Sequence, residues 1–314
     1  MTTNGKASRQ RGVAVCGATG RQGGAVARRL LKEGWRVRAL TRHPEGNEAR
    51  ALAQIGAEVI RADLLDAQSL IDATKGMHGV FGVTDFWEHG FDGEVQMGTN
   101  PIDAAMKNSV EHFVFSSVGA TERTAGLGIT HFDSKAVIEE NLRQSGLDWT
   151  ILRPVTLMEN FITHRYRKAI CERGLLRFAF DLDHSFQMVA MDDLAVFAAK
   201  ALDGDARIKG QATEVASDAF TMEEWAAALG EHLGRPVKYK VIGKPALHAV
   251  DVFVTLTRSQ GYFKVGHSLI NQFAWNNGTE VGGWDADIAS LRGIHPGMMT
   301  LEQWIRTIDW HAGL

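Results

Sequence analysis

The sequence predicts an α/β protein: a doubly wound parallel sheet with a smaller C-terminal α/β lobe. Three observations carry that expectation. Short apolar runs alternate with helical stretches through the first half, a glycine-rich turn joins the first run to the first helix, and the rhythm changes after Pro154. Strands alternating with helices at this spacing are the signature of βαβ units, whose crossovers place helices on both faces of a parallel sheet.

The elements follow in order. Strands are predicted at Val13–Cys16, Val37–Leu40, Glu58–Ile60, Gly79–Val83, His112–Phe115 and Trp149–Leu152. Between them, helices are predicted at Gln22–Glu33, Ala49–Ile55, Ala67–Thr74, Glu94–Lys107 and Phe132–Gln144, the last stopped by Gly146. Beyond Pro154 helical stretches (Leu194–Leu202, Glu223–Leu233) mix with short strands (Thr213–Ala216, Lys238–Val241). Thr221 with Glu224, and Thr300 with Gln303, have the spacing of capping boxes. The expected division is a main doubly wound domain over 11–155 and a smaller lobe over 156–314, which can return a strand or two to the main sheet.

Composition excludes several classes. Lys and Arg nearly balance Asp and Glu, for a net charge of −3. That argues against nucleic-acid coating or membrane-surface binding, both of which favour a basic excess. No run approaches the ~20 apolar residues of a membrane span. The polar first dozen residues, with Lys6, Arg9 and Arg11, lack the apolar core of a signal peptide. Two cysteines, Cys16 and Cys171, make no disulfide framework, so a cytoplasmic location is expected. The histidines show no metal-ligand spacing, and no GxSxG, HExxH or Walker loop is present. No metal is expected.

Four of the 33 glycines fall within Gly17–Gly24, directly after the first strand. Glycine is wanted there for a tight turn, for close approach of backbone to a pyrophosphate, and for packing of helix on sheet. Gly17, Gly20 and Gly23, with Thr19, Arg21 and Gln22 between them, are therefore the expected phosphate cradle at a helix N-terminus. The second strand ends at Thr41-Arg42, where an NAD-preferring site would carry Asp or Glu. Arg42 and Arg21 instead suit a 2′-phosphate. NADP(H) is the preferred cofactor, with NAD(H) the alternative.

With these residues in view, the chain resembles the NmrA-like branch of the atypical short-chain dehydrogenase/reductase superfamily. The resemblance runs in order through Gly17–Gly24, Thr41-Arg42-His43-Pro44, Asp63-Leu64, Val83-Thr84-Asp85-Phe86-Trp87-Glu88, Phe115-Ser116-Ser117 and His131-Phe132-Asp133-Ser134-Lys135. It continues through Leu152-Arg153-Pro154 to Glu159-Asn160-Phe161, and again at Met299–Trp304. It implies a Rossmann-type domain holding a dinucleotide, and adds Asp63, Leu64, Thr84, Phe86, Lys135 and Pro154 to the cofactor-binding residues. Related reductases carry Tyr-x-x-x-Lys where this chain has His131-x-x-x-Lys135. The i, i+4 spacing keeps both side chains on one helix face, and histidine can donate a proton near neutral pH. His131, Lys135 and Ser117 are the implied catalytic residues. Phe86, Trp87 and Phe161, with Phe253 and Trp275 further along, are the expected aromatic lining of a substrate cleft.

The expected function is thus an NADP(H)-dependent oxidoreductase acting on a small aromatic or quinone-like molecule, with no nucleic-acid or membrane partner. Two alternatives stay open. One is a non-catalytic NADP(H) redox sensor acting through a protein partner; the other is a natural-product tailoring enzyme, including oxygen insertion.

Overall fold

The computed structural model describes residues 11–181, 184–243, 261–278 and 283–314. Two compact units are interleaved in sequence. The first comprises residues up to Thr121, His131–Arg153 and Leu194–Thr213; the second comprises Glu122–Thr130, Pro154–Asp193 and Glu214–Leu314. The division is therefore not one cut near residue 155. After Pro154 the chain returns to the first unit before leaving it for good.

The first unit is built on β1 (Gly12–Val15), β2 (Arg36–Thr41), β3 (Glu58–Arg61), β4 (Gly79–Gly82), β5 (His112–Ser116) and β6 (Asp148–Pro154). Among the described residues they form a seven-stranded sheet in the order β3-β2-β1-β4-β5-β6, with Ala212–Val215 on the far edge. β1 lies parallel between β2 and β4, with Val13 opposite Val37 on one side and Gly79 on the other. Every residue of β1, β4 and β5 is buried, while β3 at the edge is not. This is why the central strands read as continuous apolar runs: both faces of a parallel sheet are covered.

The crossovers are α1 (Arg21–Lys32), α2 (Asn47–Gln54), α3 (Ala67–Thr74), α4 (Phe86–Lys107) and α5 (Thr130–Gln144). α1 buries Val26, Ala27 and Leu30 and leaves Arg28 exposed. α3 is started by Asp66, whose carboxylate accepts from the amides of Gln68 and Ser69. α4 begins eight residues before the expected Glu94. Asp85 caps it through the Trp87 amide, and Gly90 (φ 67°, ψ −166°) breaks it one turn later. A Cβ on Gly98 would fall 2.6 Å from the side chain of Ile138, so glycine there lets α4 and α5 close on each other.

β5 also buries a titratable group. His112 lies 4% exposed, with Nε2 3.0 Å from the Thr150 hydroxyl. Burial, reinforced by Lys209, lowers it from 6.5 to about 4. Between those values the unfolded chain takes up a proton that the folded chain refuses, so stability falls as pH drops through the window. The contribution should reach about 3 kcal/mol by the acid end. Urea denaturation from pH 7 downward should show it, and His112→Gln should remove that part of the slope.

The second unit contains β7 (Thr156–Leu157), a 3-10 turn (Met158–Phe161), α6 (His164–Arg173), β8 (Leu175–Phe178), β9 (Phe186–Val189) and the start of α7 (Met191–Leu202). After β10 (Ala212–Val215) come β11 (Asp218–Phe220), α8 (Met222–Leu233), β12 (Lys238–Val241), α9 (Gly261–Asn277), α10 (Ile288–Ile294) and α11 (Leu301–Thr307). Among the described residues the strands make a three-stranded sheet, β11-β9-β7, and a parallel pair, β12-β8. Both predicted capping boxes are present, at Thr221/Glu224 and Thr300/Gln303. The core gathers Met158, Phe161, Phe186, Trp225, Trp304 and Trp310.

Both cysteines are free and buried, one in each unit. Burial lifts the Cys16 thiol to about 12 and raises Cys171 above its ordinary value as well. Among the described residues no helix is long and apolar enough to cross a membrane.

Candidate functional site

The first unit places its glycine loop where the strand order reverses, between β1 and β4, at the carboxyl ends of the strands. Open α/β sheets bind ligands at that crevice. Gly17 takes φ +58°, the left-handed turn that favours glycine, and its carbonyl accepts from the Gly20 amide at 2.8 Å. A Cβ on Gly23 would lie 2.4 Å from the Gly17 oxygen and 2.6 Å from that of Cys16, so α1 can sit this close to β1 only with glycine. Gly20 caps α1 without a side-chain hydrogen bond, and the first turn carries no acid. The amides and partial positive charge of that terminus suit an anion.

Around the loop, the Thr19 and Thr41 hydroxyls lie 3.2 Å apart, and Thr41 also accepts from the His43 amide. Gln22 accepts from Ser116 at 2.6 Å. Arg21 is exposed at the start of α1. Arg42 meets Glu88 end-on, with nitrogen–oxygen distances of 3.0 and 2.9 Å, and both side chains are nearly half exposed. The hydrogen bonds from Arg42 hold the Glu88 carboxyl below its ordinary range. At the end of β3, Asp63 accepts from the Leu65 amide and shapes the loop, and the Leu64 carbonyl accepts from Asn100.

A buried polar network joins α4, α5 and the end of β4. Lys135 donates to the Thr84 hydroxyl at 2.6 Å and pairs with Glu94 at 3.1 Å. Thr84 and Ser134 each donate to Glu94, which is wholly buried. The ammonium also lies 5.4 Å from the Phe115 ring centroid. One turn back on α5, His131 is 9% exposed, its ring 5.1 Å from Trp87 and 5.7 Å from Phe86. Phe86 is buried, whereas Trp87 is 45% exposed. His131, expected as a catalytic residue, thus packs with Phe86 and Trp87, two of the expected cleft rings, and Lys135 lies on the same helix.

Other expected residues lie elsewhere. The Ser117 hydroxyl is turned inward to Glu139 at 2.5 Å, within an ion-pair group in which Arg153 and Arg143 bind the same carboxylate. Pro154 closes β6 and belongs to the second unit. Phe161 does not line a cleft: it is 0% exposed, 4.2 Å from Trp225 and 4.7 Å from Phe178 in the second unit's core. A lone phenylalanine is as well suited to a core as to a wall, and here its own unit encloses it. Trp275 packs edge-on against buried Trp284, and Phe253 lies outside the described residues. Among those residues, no group of three His, Cys, Asp or Glu is placed to hold a metal ion.

Glu94 was missed by sequence reasoning, although a signal for it exists. It falls on the stripe of Met97, Gly98, Pro101 and Ala105, the buried side of α4. A carboxylate within an apolar stripe calls for a buried partner, and Lys135 is that partner.

The model of the NmrA-like family matches residues 9–305. An NmrA-like family domain-containing oxidoreductase of Aspergillus hancockii is 38% identical over 159 residues, 48% of each chain; the match thus spans about half the length of that relative. The (4-alkanoyl-5-oxo-2,5-dihydrofuran-3-yl)methyl phosphate reductase of Streptomyces griseus is 33% identical over 236 residues, 74% of this chain and 78% of that one. Among solved structures, the NADPH-dependent quinone oxidoreductase of Escherichia coli, bound to NADPH, superposes with a TM-score of 0.73 at 22% identity, covering 94% and 98% of the chains. The negative transcriptional regulator NmrA, bound to NADP, does so at 0.76 and 19%, covering 96% and 99%. At those identities the structures speak for the fold alone, but the family match runs through the glycine loop, the His131–Lys135 helix and most of the second unit. The chain belongs to the NmrA-like family.

Proposed function

We propose that this protein is an NADP(H)-dependent oxidoreductase that reduces a small aromatic or quinone-like acceptor. The observation that carries the reading is Lys135, fixed by Thr84 and Glu94 one helical turn from a histidine packed on two aromatic rings. The oxidoreductase relatives and the NADPH-bound neighbour support it.

The residues fit such a cofactor. The cradle at Gly17, Gly20 and Gly23 has no room for side chains at its tightest point, and the N-terminus of α1 is uncapped. Gly17, Thr19, Gly20, Gln22 and Gly23 would hold the pyrophosphate. Arg21 and Arg42 would meet the 2′-phosphate, with Asp63 and Leu64 bordering the same end. When bound, the reduced nicotinamide supplies hydride.

The chain's own groups do the rest. Thr84 and Glu94 hold the Lys135 ammonium so that its remaining hydrogen can reach a ribose hydroxyl. An imidazole nitrogen of His131 delivers a proton to the acceptor oxygen as negative charge develops on it. Phe86 and Trp87 offer ring surface to a flat acceptor. Ser117 is assigned no proton transfer, since its hydroxyl is committed to Glu139.

The test follows the loss of reduced-nicotinamide absorbance with a panel of quinones and aromatic carbonyls. His131→Phe should lower kcat by about 10²-fold or more, the usual share of a positioned acid. Lys135→Met should weaken NADPH binding as well as turnover. Tight NADPH binding with no turnover on any acceptor would overturn the enzyme reading and favour the redox sensor, whose observation is histidine in the tyrosine position.

A further inference from the structure

We infer that Glu88 is a specificity-determining residue: its carboxylate competes with the cofactor's 2′-phosphate for Arg42, and its displacement loosens the aromatic turn that carries Trp87. This rests on the nicotinamide reading above and goes beyond it by assigning discrimination between NADP(H) and NAD(H) to an acid outside the phosphate-binding loop.

The geometry sets up the competition. Arg42 directly follows β2, the strand beside the glycine loop, and its backbone is pinned there. Its carbonyl accepts from Arg61, and the preceding Thr41 is tied to Thr19 and to the His43 amide. With that backbone held, the guanidinium works from a fixed root, and a phosphate reaching it meets a carboxylate already in place. Glu88 takes both terminal nitrogens of Arg42 in one bidentate contact. That planar fork is what a phosphate also seeks. A phosphate dianion on the same guanidinium would face the carboxylate at close range, and like charges sharing one cation repel. NAD(H), with a hydroxyl at that position, leaves the ion pair intact.

What holds Glu88 also makes it movable. It lies in the turn Phe86–His89, anchored in front by the Asp85 cap on the Trp87 amide and cut off behind by the non-helical Gly90. A Cβ on Gly90 would meet nothing within 4 Å, so the break is not walled in by packing. On this turn Glu88 follows Trp87, whose ring rests on His131. One four-residue segment therefore joins the 2′-phosphate position to the ring that packs on the proposed proton donor. Loss of the Arg42 contact relaxes the segment and changes how Trp87 covers His131. In that way the two nucleotides would present different surfaces to the acceptor.

The experiment measures dissociation constants for NADP⁺ and NAD⁺ by titration calorimetry on the full chain, with Glu88→Gln, Arg42→Gln and the double variant. Glu88→Gln should tighten NADP⁺ by roughly two- to fivefold, the range for removing one exposed ion pair, and leave NAD⁺ unchanged. Arg42→Gln should weaken NADP⁺ and abolish the effect of the first substitution. Hydrogen exchange over residues 86–90 should be faster with NADP⁺ than with NAD⁺ in the wild type, and equal in Glu88→Gln. An unchanged NADP⁺/NAD⁺ ratio in Glu88→Gln, a gain that persists without Arg42, or equal exchange with both nucleotides in the wild type would overturn the inference. If the wild type binds neither nucleotide, the cofactor reading falls and takes this one with it. Binding with an unchanged ratio removes this one alone.

Discussion

Gly23→Ala should cost the first unit about 1–3 kcal/mol of stability, the usual range for overpacking, and weaken dinucleotide binding by about tenfold or more. The added methyl meets the carbonyl oxygens of Gly17 and Cys16 at 2.4 and 2.6 Å. Both are backbone atoms of the strand end and turn that shape the cradle, so neither can rotate away as a side chain would. Relief requires α1 to lift from β1, which also carries its open N-terminus off the phosphate position. Thermal unfolding and NADP⁺ titration should therefore fail together. Gly293→Ala is the control: it lies in α10 with nothing within 4 Å of its Cβ, and should be neutral or slightly stabilising. A Gly23→Ala protein that binds NADP⁺ like the wild type would remove the cradle from the cofactor site.

The second large effect is expected at Glu94. Glu94→Ala leaves the Lys135 ammonium beside an empty space and takes the acceptor from the Thr84 and Ser134 hydroxyls. Breaking a buried pair typically costs about 3–5 kcal/mol. Lys135 keeps 11% side-chain exposure, so water can relieve part of the charge, and a loss near ~3 kcal/mol is the expected outcome. That is a large share of a domain's ~5–15 kcal/mol. Glu94→Gln retains an acceptor and should lose less, while still weakening the hold on Lys135. Urea midpoints at pH 7 measure the difference. A loss below about 1 kcal/mol in Glu94→Ala would show that the pair behaves like an exposed one.

The sheet of the first unit was legible because buried parallel strands leave continuous apolar runs, as at Val13–Cys16 and His112–Phe115. The glycine loop was legible because its requirements are steric and local. The early start of α4 was not. Phe86–His89 is followed by Gly90, and an isolated turn has no periodicity to read; it persists through the Asp85 cap and the Glu88 contact to Arg42. Short strands of the second unit such as β7 and β11 escaped for the same reason, since two or three residues show no alternation. At the site, the family resemblance brought out Phe86 and Trp87 through the string at 83–88, and His131 and Lys135 through that at 131–135. It missed Glu94, Glu139 and Arg153, whose roles exist only once helices and strands are packed. Phe161 went the other way, because ring chemistry alone does not say which side of a wall a residue occupies.

The return of residues 194–213 to the first unit has a bearing on how the protein is made. The Gly210 amide donates to the Trp149 carbonyl, and the Ile151 amide to that of Gln211. The outer edge of β6 is thus covered by chain synthesised some sixty residues later, counting from Ile151 to Gln211. On the ribosome the glycine cradle emerges long before that edge is satisfied. Until then β6 exposes unpaired backbone groups beside Trp149, Ile151 and Leu152, the kind of edge that recruits neighbouring chains. The nascent protein thus carries an open sheet edge after its glycine loop has emerged and before its sheet has closed.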